Sequence, residues 1–168
     1  IAWIAVKSKL KGRGILDTLT FIPIAFPGIV LGVSLLYVYL ALPIPIYGTI
    51  WILLVAYMTK YMPYGIGTTT ASIIQIHKEL EEASALSGAT WGTTFMKITL
   101  PLLIPGFMAG WLYIAMVSLR ELSTSILLYS SGSEVLSIVV CDLWEGGQYP
   151  TLCALGIMMI GLLILLAF

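Results

Sequence analysis

Charged side chains are scarce in this chain. Only 10% of its 168 residues are Asp, Glu, Lys or Arg, whereas 60% are hydrophobic. A soluble domain typically carries about 25% charged residues, so the composition predicts a membrane protein with several spans. Positive and negative charges balance to a net charge of zero. We therefore expect no basic field of the kind that attracts nucleic acid.

Residues that commonly build catalytic and metal sites are also few. His77 is the one histidine, and Cys141 and Cys153 are the two cysteines. An integral membrane enzyme would need convergent His, Asp or Glu side chains near its spans, and the sequence offers no such pair. We expect no metal and no cofactor. Two cysteines do not make a disulfide framework, and we expect both to be packing or spectator thiols.

Long apolar stretches are present instead. A spanning helix needs about 20 mostly apolar residues, and four stretches qualify as full spans: residues 19–41, 47–68, 98–119 and 150 onward. Pro43 and Pro45 separate the first two stretches. The predicted fold is all-α, a polytopic membrane helix bundle.

The chain is expected to be a single transmembrane domain over residues 1–168, cut at both ends from a longer polypeptide. It starts without Met and ends inside an apolar run, and residues 1–6 are expected to be the end of an earlier span. Two small-xxx-small patterns, Gly28 with Gly32 and Gly106 with Gly110, are typical of closely packed helices in lipid. Ordinary membrane-helix composition is the alternative interpretation of these patterns.

Basic residues indicate the orientation of the chain. Lys7, Lys9, Lys11 and Arg13 precede the first full span, and Lys78 and Lys97 lie between the second and third spans. The alternate loops at 42–48 and 121–149 contain no Lys or Arg. Because cytoplasmic loops are enriched in these residues, the loops 7–18 and 71–97 are predicted to be cytoplasmic.

The cytoplasmic loop contains the most acidic stretch of the chain, E-L-E-E at residues 79–82, followed by small residues. This pattern predicts a helix over residues 79–87 with three carboxylates in its first turn, where the helix dipole favours negative charge. Gly88 would end the helix in a left-handed conformation. Four residues would share one face: Glu79, Glu82, Ala83 and Leu86. The residues alone allow either a solvated loop or a slim helix that enters a groove on a partner.

The spacing is similar to the cytoplasmic signature of permeases of binding-protein-dependent ABC importers, E-A-A-x3-G-x9-I-x-L-P. This chain has Glu82-Ala83-Ser84, then Gly88, then Ile98-Thr99-Leu100-Pro101, with Ser84 in place of the third-position Ala. Residues 26–32 and 60–64 also resemble this family. Residues 118–123, 127–129 and 142–146 resemble the second half of ferric-iron-type permeases, in which two permease halves are fused.

The resemblance implies a type I ABC importer permease fold and the role of a transmembrane subunit in the bacterial inner membrane. The implied solute is ferric iron, with thiamine, 2-aminoethylphosphonate or another small solute as alternatives. The implied partners are a dimer of cytoplasmic ATPases, a periplasmic or lipid-anchored solute-binding protein and a second permease half. The chain has no phosphate-binding loop of the P-loop type, so ATP hydrolysis is expected in the ATPase and the chain itself is not expected to be an enzyme.

Site residues follow from the same resemblance. Coupling to the ATPase is expected of eight residues: Glu79, Glu82, Ala83, Ser84, Gly88, Ile98, Leu100 and Pro101. Glu82 would pair with a basic group, Ala83 and Ser84 would allow close approach, and Gly88 would turn the chain.

Three further charges lie at or near the spans, where charge is costly and often functional. Arg120 and Glu121 could form a pathway or gate or contact the binding protein, or they could be an interfacial ion pair or snorkelling side chains. Lys60 is expected to be a snorkelling anchor, with a structural partner as the alternative. A channel or secondary transporter would need buried ionisable residues, and Lys60 is the only central candidate. The apolar run at 134–144 follows a predicted turn at 129–133 and is too short to span. It predicts a re-entrant or interfacial helix, or a helix packed over the outer mouth of a pathway.

Overall fold

The computed structural model describes residues 1–8, 11–42 and 46–167. All regular secondary structure within these residues is helical. The α-helices are α1 (Ala2–Lys7), α2 (Arg13–Phe21), α3 (Gly28–Ala41), α4 (Ile50–Gln75), α5 (Lys78–Leu86), α6 (Trp91–Thr94), α7 (Leu100–Ser118), α8 (Ser125–Leu128), α9 (Leu136–Glu145) and α10 (Tyr149–Ala167). A 3₁₀ turn at Ile22–Ala25 follows α2, and a π-helical segment at Phe95–Thr99 joins α6 to α7. Lys9, Pro43 and Pro45 lie outside the described residues.

Two helical runs in the described part of the chain are long and apolar enough to cross a membrane. They are Trp91–Ser118, with 28 residues, and Tyr149–Ala167, with 19 residues. They confirm the predicted third and fourth spans. A third crossing results if Arg13–Ala25 and Gly28–Ala41 are counted as one broken span.

The first predicted span, residues 19–41, is not one continuous helix. The helical structure stops at Ala25 and restarts at Gly28. Pro27 restricts the backbone of the preceding residue, Phe26, and has no N–H to continue a helix. The carbonyl of Pro27 instead accepts the first hydrogen bonds of α3, from the amides of Val30 and Leu31 at 3.0 and 3.1 Å.

The second predicted span extends further than expected. The helix α4 has 26 residues and continues through Pro63 to Gln75. Its polar second half is consistent with a helix, because the hydroxyls of Thr69 and Ser72 donate to the carbonyls four residues earlier at 2.7 and 2.9 Å. The helix α4 is not among the runs of the described residues that are long and apolar enough to cross a membrane, so the second predicted span is found as a helix but not as a spanning run.

The chain divides into two compact units. The first contains Ile1–Ile22 and Met62–Trp111, and the second contains Pro23–Tyr61 and Leu112–Phe168. Buried apolar side chains form a core in each. In the first unit these are Ala2, Ile73, Ile76 and Leu103, and in the second Ile52, Leu53, Ala56 and Leu128.

The glycines of both small-xxx-small patterns lie at close contacts. In the first unit a Cβ added to Gly106 would lie 2.9 Å from the Cβ of Ser72, and one added to Gly110 would lie 3.1 Å from the Cβ of Thr68. In the second unit a Cβ on Gly32 would lie 3.2 Å from the backbone oxygen of Thr124. Only residues without a side chain fit such spacings without a shift of the neighbour, as the sequence pattern predicts.

The segment between α8 and α10 has the predicted turn and short helix. Gly132 has φ +90°, and its amide donates to both carboxylate oxygens of Glu134 at 3.0 Å. These hydrogen bonds lower the pKa of the Glu134 carboxyl. The helix α9 follows, and it ends at Gly146 and Gly147, the latter with φ +66°.

Candidate functional site

The helix α5 ends as the sequence predicts. Gly88 has φ +80°. Its amide donates to the carbonyl of Ala85 at 3.0 Å, and the amide of Ala89 donates to the carbonyl of Ser84 at 3.1 Å. This pair of hydrogen bonds is a Schellman motif, in which a left-handed residue lets the last helical carbonyls find donors. Glycine is therefore required at position 88 because of its backbone conformation. Lack of space is not the reason, since no atom lies within 4 Å of an added Cβ.

One face of α5 is attached to the rest of the first unit. The ammonium of Lys7 lies 3.1 Å from both carboxylate oxygens of Glu81, which links α1 to α5. The hydroxyls of Ser84 and Thr94 are 2.9 Å apart, and both residues are buried. The small size of Ser84 thus permits a close approach to Thr94 within the chain.

The opposite face of α5 is exposed. Glu79, Glu82 and Ala83 are all exposed, and Leu86 is 90% exposed. These are the four residues that helical periodicity places together. The helix begins at Lys78, one residue earlier than predicted, so Glu79 and Glu81 lie in its first turn and Glu82 lies beyond it. The exposed side chain of Leu86, beside the carboxylates of Glu79 and Glu82, forms a surface that a partner can cover.

The remainder of the signature lies at the start of the long helical run. Ile98 is half-buried in the π-helical segment, and Leu100 and Pro101 are exposed in the first residues of α7. Aromatic contacts fix this region to α1. The ring of Trp91 stacks on Phe95 with centroids 5.5 Å apart and meets the ring of Trp3 edge-on at 5.7 Å.

A second polar cluster lies inside the second unit. The ammonium of Lys60 is 2.6 Å from Oε2 of Glu121, and both side chains are mostly buried. The hydroxyl of Tyr61 donates to the same oxygen at 2.7 Å, and the amide of Thr124 donates to Oε1 at 2.9 Å. The expectation that Lys60 is a snorkelling anchor is therefore wrong, because its head group has an internal carboxylate partner. The alternative, a structural partner, is confirmed.

The side chains of Arg120 and Glu121 lie in different surroundings. Glu121 is 9% exposed and faces the cluster, whereas Arg120 is exposed. The two neighbours therefore cannot share one role as an interfacial ion pair. The main-chain carbonyl of Glu121 also accepts hydrogen bonds from Ser125 and Ser137 at 2.6 and 2.7 Å, which fixes the turn after α7.

Sequence reasoning did not identify Tyr61, Thr124 and Gly28 as members of this cluster. The hydroxyl of Thr124 donates to the carbonyl of Gly28 at 3.1 Å. A signal was available in the stretch F-P-G-I-V-L-G, because a glycine directly after Pro27 suggests close backbone approach. The partner of that approach lies 96 residues further along the chain, so no local pattern could name it.

Helices apolar enough to cross a membrane, together with a polar loop that presents an exposed acidic helix, define an integral membrane protein. A family model described as "Binding-protein-dependent transport system inner membrane component" matches residues 1–168. The chain belongs to this family of inner-membrane permeases of ABC transporters.

Curated relatives of this chain are named as permease proteins of transport systems. Fe(3+)-transport system permease protein FbpB 2 of Haemophilus influenzae is 27% identical over 160 residues, which cover 95% of this chain and 32% of that protein. A protein named as a 2-aminoethylphosphonate transport system permease, PhnV, of Salmonella typhimurium is 24% identical and is matched over 94% of this chain and 59% of its own length. Spermidine/putrescine transport system permease protein PotC of Haemophilus influenzae is 30% identical, with 90% and 58% covered. The chain thus spans between about a third and three fifths of these relatives.

Proposed function

We propose that this chain is part of the transmembrane subunit of an ATP-driven importer and that α5 couples it to a separate cytoplasmic ATPase. The observation that carries the proposal is the division of α5 into two faces. One face is held by Lys7 and Thr94, and the other presents Glu79, Glu82 and Leu86 to a partner. The match of the whole chain to the permease family supports it.

Four residues of α5 and its C-terminal end have separate roles in this proposal. Glu82 pairs with a basic group on the ATPase, because charge-assisted hydrogen bonds are strong and directional. Ala83 keeps the docking face slim, and Leu86 enters an apolar part of the cleft. Gly88 directs the chain back toward the span that contains Ile98, Leu100 and Pro101. In this proposal the loops 7–18 and 71–97 face the cytoplasm.

The proposed motion passes through the contacts that hold α5. When two ATPases close on ATP they displace α5, and the pair Lys7–Glu81 and the bond Ser84–Thr94 transmit this displacement to α1 and to the start of the run Trp91–Ser118. A second permease half moves in the opposite sense, which gives alternating access. A solute-binding protein delivers the solute from outside, and Arg120 is the proposed pathway contact.

Ferric iron is the proposed solute. Relatives named as ferric permeases match 95% of this chain. Relatives named for 2-aminoethylphosphonate and for spermidine and putrescine are matched over similar lengths, so these solutes, and thiamine, are the alternatives. An uptake assay with each radiolabelled solute, in membrane vesicles that contain the full transporter and its binding protein, distinguishes them.

The coupling role is tested by replacement of Gly88 with Arg in the complete transporter. We expect the protein to remain in the membrane while solute uptake is lost and ATP hydrolysis continues, because the left-handed end of α5 is disturbed and the docking face moves. Gly92→Arg is the matched control. Gly92 lies in the same loop and also has no atom within 4 Å of an added Cβ, but its φ is not positive. Full uptake by the Gly88→Arg transporter would contradict the coupling role.

A further inference from the structure

The ammonium group of Lys60 lies among oxygen atoms and an aromatic ring. Its Nζ is 2.6 Å from Glu121 Oε2, 3.3 Å from Thr124 Oγ1 and 5.8 Å from the centre of the Tyr61 ring. A carboxylate, a hydroxyl and an aromatic ring are the groups that bind a primary ammonium ion. The surroundings of Nζ therefore have the composition of an ammonium-binding site.

The oxygen atoms of this site are positioned by groups other than Lys60. The amide of Thr124 holds Glu121 Oε1 at 2.9 Å, and the hydroxyl of Tyr61 holds Oε2 at 2.7 Å. Thr124 is in turn fixed, because its hydroxyl donates to the carbonyl of Gly28 at 3.1 Å and its side chain is fully buried. The oxygen atoms of the site thus have hydrogen-bond partners in addition to Lys60.

Gly28 closes the site from the start of α3. A Cβ at this position would lie 2.9 Å from Thr124 Oγ1 and 3.2 Å from Glu121 Oε1, and it would also meet Lys60 Nζ. The backbone of α3 therefore lies directly against the ion pair. The helix α3 has 14 residues, and the positive end of its dipole is near the carboxylate and favours the negative charge.

We propose that Glu121, Tyr61 and Thr124 form a primary-ammonium site that Lys60 fills from within the chain. The occupied site joins three segments of the second unit: the start of α3, the middle of α4 and the turn 121–125. Lys60 is in this sense a positioning residue rather than a solute-binding one. An empty site would leave a mostly buried carboxylate without its counter-charge, which is strongly destabilising.

The site is tested by removal of its internal occupant. Lys60→Ala keeps Cβ and deletes three carbons and the ammonium, which is the composition of n-propylammonium. The variant is made in the complete transporter, and its midpoint of thermal unfolding and its solute uptake are measured with increasing n-propylammonium chloride at constant ionic strength. We expect a lowered midpoint and reduced uptake without the amine, and a saturable recovery of both with it.

Two controls separate site binding from general effects of salt. Tetramethylammonium has the same charge but no N–H donor, and we expect it to give no recovery. In Lys60→Ala/Glu121→Gln the carboxylate is absent, and we expect n-propylammonium to have no effect. The proposal is overturned if a membrane-inserted Lys60→Ala protein shows no recovery, or if the double variant or tetramethylammonium recovers as much.

A labelling measurement tests the same site should Lys60→Ala not accumulate in the membrane. A small amine-acylating reagent is applied to the wild-type transporter, and the modified lysines are quantified by mass spectrometry. Lys78 and Lys97 are exposed and serve as internal references. We expect Lys60 to react far more slowly than both, and to react several-fold faster in Glu121→Gln. Equal labelling of Lys60 in the wild type and in Glu121→Gln would overturn the proposal.

Discussion

At the scale of single residues, two glycines between α4 and α7 have opposite requirements. Gly88 has φ +80°, whereas Gly92 lies in the helix α6 at ordinary φ, and neither has a neighbour within 4 Å of an added Cβ. A side chain at Gly88 is therefore disfavoured by backbone conformation alone. A side chain at Gly92 removes the entropic cost of glycine in a helix.

Alanine at these two positions is expected to change stability in opposite directions. Gly88→Ala should destabilise the end of α5 by about 1–2 kcal/mol, the cost of a left-handed conformation for a residue with a Cβ. Gly92→Ala should be neutral or stabilising by up to about 1 kcal/mol. Amide hydrogen exchange of residues 84–89 in the purified transporter is the measurement, and faster exchange only in Gly88→Ala is the expected result. Equal exchange in both variants would contradict the role of the cap.

Local sequence pattern predicts the role of Gly88 but not the partner of Lys60. The role of Gly88 follows from local pattern, because a helix that starts near residue 79 and a glycine nine residues on define a C-terminal cap. The partner of Lys60 does not follow, because Glu121 is 61 residues away and the pairing depends on how α3, α4 and the turn after α7 pack. The inward direction of Ser84 likewise depends on Thr94, which lies on another helix.

At the scale of helical elements, the approach of α4 to α7 in the first unit depends on two glycines. The side chains of Ser72 and Thr68 occupy the space where Gly106 and Gly110 have no Cβ. In lipid, where no hydrophobic effect drives helices together, such contacts are a main source of association. A methyl group at either glycine must displace a neighbour on α4.

Gly106→Ala and Gly110→Ala are each expected to destabilise the protein by about 1–3 kcal/mol, the usual cost of overpacking. Gly156→Ala is the matched control, because Gly156 is also in a spanning helix but has nothing within 4 Å of an added Cβ. Thermal unfolding in detergent distinguishes the variants. A fall in the unfolding midpoint for Gly156→Ala as large as that for Gly106→Ala would show that the loss is unrelated to the contact.

The link between α1 and α5 leads to a charge-exchange prediction. Lys7→Glu or Glu81→Lys places like charges at the 3.1 Å contact and should reduce solute uptake, while ATP hydrolysis by the complete transporter continues. The double variant Lys7→Glu/Glu81→Lys restores opposite charges and should regain most of the uptake. The comparison of uptake per ATP hydrolysed is the measurement. A double variant as poor as the worse single variant would exclude the ion pair as the connection.

At the scale of the whole molecule, composition alone predicted a polytopic membrane bundle, and the two apolar runs at Trp91–Ser118 and Tyr149–Ala167 confirm its third and fourth spans. The number of residues per span was predicted less well. Pro27 divides the first stretch, whereas α4 continues through Pro63 to Gln75. Apolarity predicts that a segment enters the membrane, but backbone hydrogen bonds decide where its helix stops.

The energy source of uptake can be tested on the complete transporter. Uptake by vesicles that contain the complete transporter should require ATP and should be unaffected by collapse of the ion gradient with ionophores. The reason is that the proposed coupling surface is a docking helix outside the spans, and the buried charge in the second unit is already paired. Uptake that follows the ion gradient without ATP would instead indicate a secondary transporter.

The π-helical segment at Phe95–Thr99 has a consequence for the direction in which α5 points. The amide of Leu100 bonds to the carbonyl of Phe95, five residues back instead of four, so the segment contains one residue more than a regular helix of the same length. Each residue of an α-helix turns the chain by about 100°. A single residue thus sets the rotation of the preceding loop about the helix axis relative to α7. A chain shortened by one residue here would keep a continuous helix and every side chain of the signature, yet it would aim α5 in another direction.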